Sequence, residues 1–472
     1  MSERIGTIPS IGFSQFPSIL KEAALEANVG VQEKVLSLCL QRILSSLDPS
    51  AGVREPRAEQ VRVLRRLVFC KSDVLLVART GFGKSLIFHA FSVLTGKITL
   101  QIIPLSKLGD EQLNDIQKLP GAKPCLITHE IKRTQSKLFD QIREGEYTHI
   151  LLGPEQASSK EFRRVMKAVS FQNRIGLVAI DECHLVKQWN EFRPAFSMIC
   201  QLRSILPQDV VWFGCSATLD ATAEKLVLSQ AGFRVQGPRM YQTEVIRTSI
   251  DRPDVAIHLQ PLRRGRIATF DSLYFLLDRS VDSAGSATPA QIPKTVVFVD
   301  GRVKVQKAAG CLQTMLLQKT DGTAESGQRY GLDNERSRYC VTSVVETFTS
   351  HVSRHDRDFR YSEFKKEDSR IRILVATTSL GMGVNIPDIE RVVLWSFPLG
   401  DDPADHWQRL GRGGRGPGRT STCYLLLPYW AFDSKGKEVS TGVQRPEDVG
   451  EWSRSLQKFA EDPRRSQTIP ED

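Results

Sequence analysis

The chain has 472 residues, 40% hydrophobic and 25% charged, which is the balance of a globular protein with room for two or three domains. A net charge of +10 permits a polyanionic partner without requiring one. No apolar run approaches the roughly 18 residues of a membrane helix, MSERIGTIPS has no signal-peptide core, and nine cysteines form no CxxC pair; membrane span, disulfide framework and zinc ribbon are excluded, and an intracellular protein is expected.

In chain order, residues 1–50 hold two helical patterns, PSILKEAALEA and VQEKVLSLCLQRILSSL, and form a helical N-terminal extension. From Val74 onward, Val/Ile/Leu-rich runs alternate with amphipathic stretches: DVLLVA, ITLQII, THILLG, GLVAID and VVWFGC read as strands buried on both faces. A second series follows with KTVVFVD, IRILVAT and RVVLWSF. The expected fold class is α/β: two tandem domains, 51–240 and 241–430, each a parallel sheet flanked by helices, and then a polar tail, 431–472. The stretches 282–291 and 319–337 are polar and aperiodic, so they are predicted loops.

ARTGFGKS, residues 78–85, lies between a predicted strand and a predicted helix. Glycines let backbone N–H groups approach phosphates, and a helix N-terminus favours the anion. Thr80, Gly81, Phe82, Gly83, Lys84, Ser85 and Leu86 therefore read as an ATP site, with Lys84 reaching the β/γ-phosphates and Ser85 ligating Mg²⁺. Ala78 stands where the general pattern GxxxxGK[ST] has glycine. GLVAIDE supplies the acidic strand end such a site needs: Asp181 to hold Mg²⁺ through water, and Glu182 to orient and deprotonate the attacking water.

Further motifs share this order. DECH spans 181–184, GCSATLD contains Ser216, Ala217 and Thr218, VATTSLGMGVNIP spans 375–387, and QRLGRGGRG spans 408–416. PRAEQ lies upstream, with PLSKLGDEQ at 104–112 and LGPEQ at 152–156. Together, from about residue 54 to 420, they resemble the superfamily 2 helicases, and within these the RecQ family, whose fold is two tandem RecA-like domains. The resemblance implies an adenine-reading Arg57 and Gln60, a coupling role for His184, Ser216, Thr218 and Gly383, and a catalytic role for Gln408, Arg412 and Arg415, one of these arginines being the arginine finger. Lys107 stands in a strand-contacting motif where the family usually has serine, and Thr377 is a candidate phosphate contact on the second domain.

KQWNEFRP, residues 187–194, matches the family's aromatic-rich loop. Trp189 and Phe192 can stack on unpaired bases at ~1–3 kcal/mol each, with Arg193 beside them, or they can simply pack the loop onto its domain. The resemblance further implies a 3′–5′ DNA helicase that uses ATP and Mg²⁺ and acts on single-stranded and tailed duplex DNA. It also implies no membrane partner, a nuclear, chromosome-associated location, and protein partners in DNA repair or recombination. Two alternatives stay open: a strand-stimulated translocase that does not unwind alone, and a degenerate helicase serving as a binding module. RNA is a less favoured substrate. YLLLPYWAFDSKGKEVS leads into the tail without the cysteines of the family's zinc module and without its winged helix, so their duplex-splitting contribution is expected to be missing or supplied elsewhere.

Overall fold

The computed structural model describes residues 5–6, 8, 10–48, 54–103, 106–186, 199–235, 242–262, 265, 268–277, 292–321, 343–377, 380, 386, 388–396, 403–415 and 418–428. The chain divides into two compact units, residues 1–251 and 252–472.

The first unit holds a seven-stranded sheet in the order β3-β4-β2-β5-β6-β1-β7. Its strands are β1 Val74–Val77, β2 Ile98–Ile102, β3 Pro124–Ile127, β4 His149–Leu152, β5 Ile175–Ile180, β6 Val211–Ser216 and β7 Glu244–Arg247. The second unit holds six strands in the order β10-β11-β9-β12-β13-β8. These are β8 Val255–Leu262, β9 Thr295–Val299, β10 Val345–Phe348, β11 Ile373–Ala376, β12 Arg391–Trp395 and β13 Ser421–Pro428. Every pairing is parallel, which requires a crossover between partners and covers both sheet faces.

Alternation along each strand divides the core. Val74 and Leu76 join one cluster and Leu75 and Val77 another; in the second unit Val297 and Val299 face one way, Val296 and Phe298 the other. The two N-terminal helices, Phe16–Leu25 and Val29–Leu47, share the first cluster with Phe88 and Phe91 of the helix Lys84–Thr95. Asn28 caps the longer one by accepting from Val31 N–H at 3.2 Å. These helices thus back the sheet rather than stand apart from it.

Five strands were not anticipated from sequence: β3, β7, β8, β10 and β13. Four of them are sheet edges, and β7, β8 and β10 are only partly buried, so they lack the continuous apolar run that marks a central strand. The predicted loop at 282–291 lies outside the described residues, as do 322–337 of the second; the helix Arg302–Asp321 runs into the start of that second stretch. The tail 431–472 also lies outside them. Among the described residues no helix is long and apolar enough to cross a membrane.

Candidate active site

The phosphate loop leaves β1 tied to the sheet, since Ala78 N–H donates to Ser216 O at 3.0 Å. Gly81 and Gly83 take φ of +79° and +86°, a region glycine enters without strain. At Gly83 a Cβ would also meet Gln60 Nε2 at 2.7 Å. Gln60 is buried; its Nε2 donates to Phe82 O at 3.2 Å and Gly83 O at 3.1 Å, and its Oε1 accepts from Arg57 N–H at 2.8 Å. The Arg57 guanidinium lies 5.3 Å from the centre of the Phe82 ring. Sequence reading paired Arg57 and Gln60, and the structure ties that pair to the loop backbone.

Lys84 and Ser85 open the helix Lys84–Thr95 half-buried, with Leu86 beside them and Thr80 half-buried in the loop. The first N–H groups of a helix have no intrahelical acceptor and can receive an anion. Lys84 Nζ donates to Ala78 O at 2.9 Å and to Arg79 O at 3.3 Å, which holds the ammonium over the loop.

The carboxylates sit at the end of β5. Asp181 is 7% exposed; its Oδ2 accepts from Gln112 Nε2 at 2.6 Å, and its Oδ1 from Glu182 N–H at 2.9 Å and from Cys215 Sγ at 3.3 Å. Burial, and then the neighbouring Glu182 charge, push its pKa up, while the Gln112 and Cys215 hydrogen bonds and Lys84 pull it down. Lys84 and Asp181 are therefore electrostatic neighbours. Glu182 turns the chain with φ of +49°, an uncommon value outside glycine. Cys183 N–H donates to Cys215 O at 3.0 Å, which fastens this turn to β6.

His184 and the SAT segment meet. His184 Nδ1 is 3.0 Å from Ser216 Oγ and 3.4 Å from Glu182 Oε2. Ser216 Oγ donates to Thr218 O at 2.7 Å and accepts from Thr218 N–H at 3.1 Å. Its one hydroxyl proton is thus committed, so His184 donates to it from Nδ1. The loop, the acidic turn and the SAT segment share a single hydrogen-bonded patch around Ser216.

In the second unit, the helix Pro403–Leu410 carries Gln408, buried, and leads into Arg412, buried, and Arg415, half-buried. Arg415 Nε donates to Gly411 O at 3.2 Å, and Arg409 lies 3.7 Å from Asp300. Thr377 follows β11, its N–H donating to Phe348 O at 3.4 Å. Trp189, Phe192, Arg193 and Gly383 lie outside the described residues, and Lys107 belongs to the helix Ser106–Gln117 with its side chain outside them.

Two residues escaped the sequence reading. Arg252 is 6% exposed; its Nη2 pairs with Asp254 at 2.6 Å and donates to Gly413 O at 2.8 Å and Gly414 O at 3.2 Å, so it moulds the loop that carries Arg412 and Arg415. Gln112 is the other, through its bond to Asp181. Neither stands in a local pattern that announces its partner, because the contacts span 161 and 69 residues of sequence.

The chain matches the family model described as DEAD/DEAH box helicase over residues 57–226, and that described as helicase conserved C-terminal domain over 289–417. It is 26% identical to the mouse bifunctional 3'-5' exonuclease/ATP-dependent helicase WRN, over 79% of this chain and 23% of that protein. It is 23% identical to the ATP-dependent DNA helicase RecQ of Pasteurella multocida (79% and 50%), and 24% identical to a mimivirus protein named as an ATP-dependent RNA helicase (87% and 64%). The chain thus spans between about a quarter and two thirds of the length of these relatives. Among solved structures, the DUF1998 helicase MrfA bound to DNA and AMPPNP aligns with a TM-score of 0.60 at 16% identity, covering 88% of this chain and 52% of that one. With both helicase domains matched in order on two RecA-like α/β units, the chain belongs to the superfamily 2 helicases, with RecQ helicases among its relatives.

Proposed function

We propose that the chain is an ATP-dependent motor of RecQ type that moves 3′ to 5′ on single-stranded DNA and separates duplexes. The observation that carries this reading is the patch around Ser216. One side chain joins the β6 end that holds the phosphate loop to His184 and Thr218, so a change at the phosphates has a direct route to the coupling residues. A passive binding module has no physical need for such a route.

Gln60 and Arg57 read the adenine, the loop from Thr80 to Leu86 cradles the phosphates, and Lys84 neutralises them. Ser85 and Asp181 fit Mg²⁺: both offer hard oxygen, and among the described residues no group of three or more His, Cys, Asp or Glu could hold a metal unaided. That accords with an ion shared with substrate phosphates. Bound there, Mg²⁺ would neutralise charge on the β- and γ-phosphates. Glu182 orients the attacking water and takes its proton, while Arg412 and Arg415, with Gln408, stabilise charge developing on the transferred phosphoryl group. Lys107, Thr377 and the Trp189–Phe192–Arg193 loop contact the strand, and Gly383 works with Ser216 and Thr218 in coupling. Work of this kind belongs to DNA repair or recombination, on chromosomes in the nucleus.

The test is strand separation on a short duplex carrying a 3′ or a 5′ tail, with and without ATP, in DNA and in RNA. Opening of the 3′-tailed DNA alone, only with ATP, is expected. ATP hydrolysis stimulated by single strands without separation would leave a translocase. Preference for RNA would move the assignment toward the mimivirus relative, and absence of ATP hydrolysis would leave a binding module.

A further inference from the structure

The helix Ser106–Gln117 begins in the segment assigned above to strand contact and carries Gln112 midway along its length. It lies flush on the sheet because Gly109 has no side chain: a Cβ there would sit 2.6 Å from Ile103 Cδ1 and 2.8 Å from Leu126 Cδ1. That close approach delivers Gln112, 5% exposed, to Asp181, where its Nε2 donates to Oδ2 at 2.6 Å.

The other end of the same amide is fixed as well. Gln112 Oε1 accepts from Gln101 Nε2, and Gln101 is fully buried on β2. β2 runs beside β5 with Ile102 opposite Ile180, and Asp181 N–H donates to Ile102 O at 3.2 Å. Gln112 therefore bridges the β2 interior and the carboxylate assigned to the metal, and its donor and acceptor ends are each committed.

We propose that Gln112 is a positioning residue that couples nucleic-acid contact at the head of its helix to the carboxylate of Asp181. The inference rests on the motor reading above. A shift of the helix along its axis must move the Gln112 amide, and with it the Asp181 oxygen bonded to it. Outer hydrogen-bond partners of metal ligands are typically worth roughly 10–100-fold in metal affinity or activity, which sets the scale of the effect.

The experiment is Gln112→Met, a swap of similar length that removes both hydrogen bonds, with two readouts. Binding of a fluorescent ATP analogue is titrated with Mg²⁺; the half-saturating Mg²⁺ concentration should rise roughly 10–100-fold, while affinity in EDTA matches the wild type. Stimulation of ATP turnover by an oligo-dT strand at saturating Mg²⁺ should fall several-fold as a ratio to unstimulated turnover. A folded variant with wild-type Mg²⁺ requirement and wild-type stimulation overturns the proposal. Should Gln112→Met lose its cooperative melting transition, Gln101→Met replaces it. That change frees Gln112 Oε1 only and should move both readouts the same way by less; no movement overturns the proposal equally. Wild-type turnover that ignores single strands sinks the motor reading instead, and the Mg²⁺ titration still decides the contact to Asp181.

Discussion

The Ser216 hydroxyl sits where three assignments meet. Replacing it with alanine removes one hydrogen-bond partner from His184 Nδ1 and one from Thr218 N–H, both in buried surroundings. A typical hydrogen bond contributes about 0.5–1.5 kcal/mol, so Ser216→Ala should lower the stability of the first unit by about 1–3 kcal/mol in denaturant melts for these two bonds. The more telling outcome concerns coupling. With the patch broken, ATP consumed per base pair separated should rise, measured by following phosphate release and strand separation in one reaction. An unchanged ratio would reduce Ser216 to a structural residue. Glu182 illustrates a different residue-scale constraint, because its left-handed backbone is sustained by neighbours that over-determine it. Its N–H is held by Asp181 Oδ1, and the Cys183 N–H beyond it is held by β6.

At the scale of elements, the arginine loop is shaped from outside itself. Arg252 precedes β8, yet it grips the carbonyls of Gly413 and Gly414, while a Cβ at Gly413 would lie 2.7 Å from Ser421 Cβ on β13. Arg252→Ala should cut turnover by about 10²-fold, the scale of losing a placed charge-stabilising donor, with the KM for ATP moving far less. Steady-state kinetics at varied ATP check this, and an equal change in both would point to general damage. Breaking a buried pair costs about 3–5 kcal/mol, so Arg252→Lys serves as the milder companion.

The same elements show what the chain disclosed in one dimension. VLLV, IGLVAI, VWFGC, TVVFV, ILVA and, after Arg391, VVLW are continuous apolar runs, and they became the central strands β1, β5, β6, β9, β11 and β12. VETF and EVIR are strands only because a neighbour pairs with them at a sheet edge. Likewise Lys84 and Asp181 were legible because a loop–helix junction and a strand end carry their own local signatures. Arg252 and Gln112 were not, since what singles them out is a partner supplied by distant chain.

On the scale of the whole molecule, acid should act on the two units unequally. His89 and His149 are buried together in the first unit, with His149 Nε2 2.9 Å from His89 O. Burial, with His149 as a second cause for His89, pushes His89 down to about 3 and His149 to about 4 from an ordinary 6.5. Below 6.5 the unfolded chain binds protons that the folded unit refuses, so stability is full above that pH and is lost as pH falls toward 4. Each histidine contributes a slope of up to about 1.4 kcal/mol per pH unit in that window. Thermal melts between pH 7.5 and 5 should show the transition of the first unit falling steeply. Replacing both histidines with glutamine should flatten its dependence; a transition indifferent to pH would mean the pair is solvated. Since the chain has two units, each transition needs its own probe.

Such probes are already built in. Cys215, bonded to Asp181, and its neighbour Cys183 are buried thiols whose pKa values burial drives well upward, and Cys423 in the second unit is pushed up to about 12. Only a thiolate reacts readily with an alkylating reagent, so in the closed protein these sulfurs are protected twice over, by access and by protonation. The rate at which Cys183 or Cys215 acquires a label therefore counts how often the nucleotide-binding half opens. Cys423 keeps the same record for the other half, without any change to the sequence.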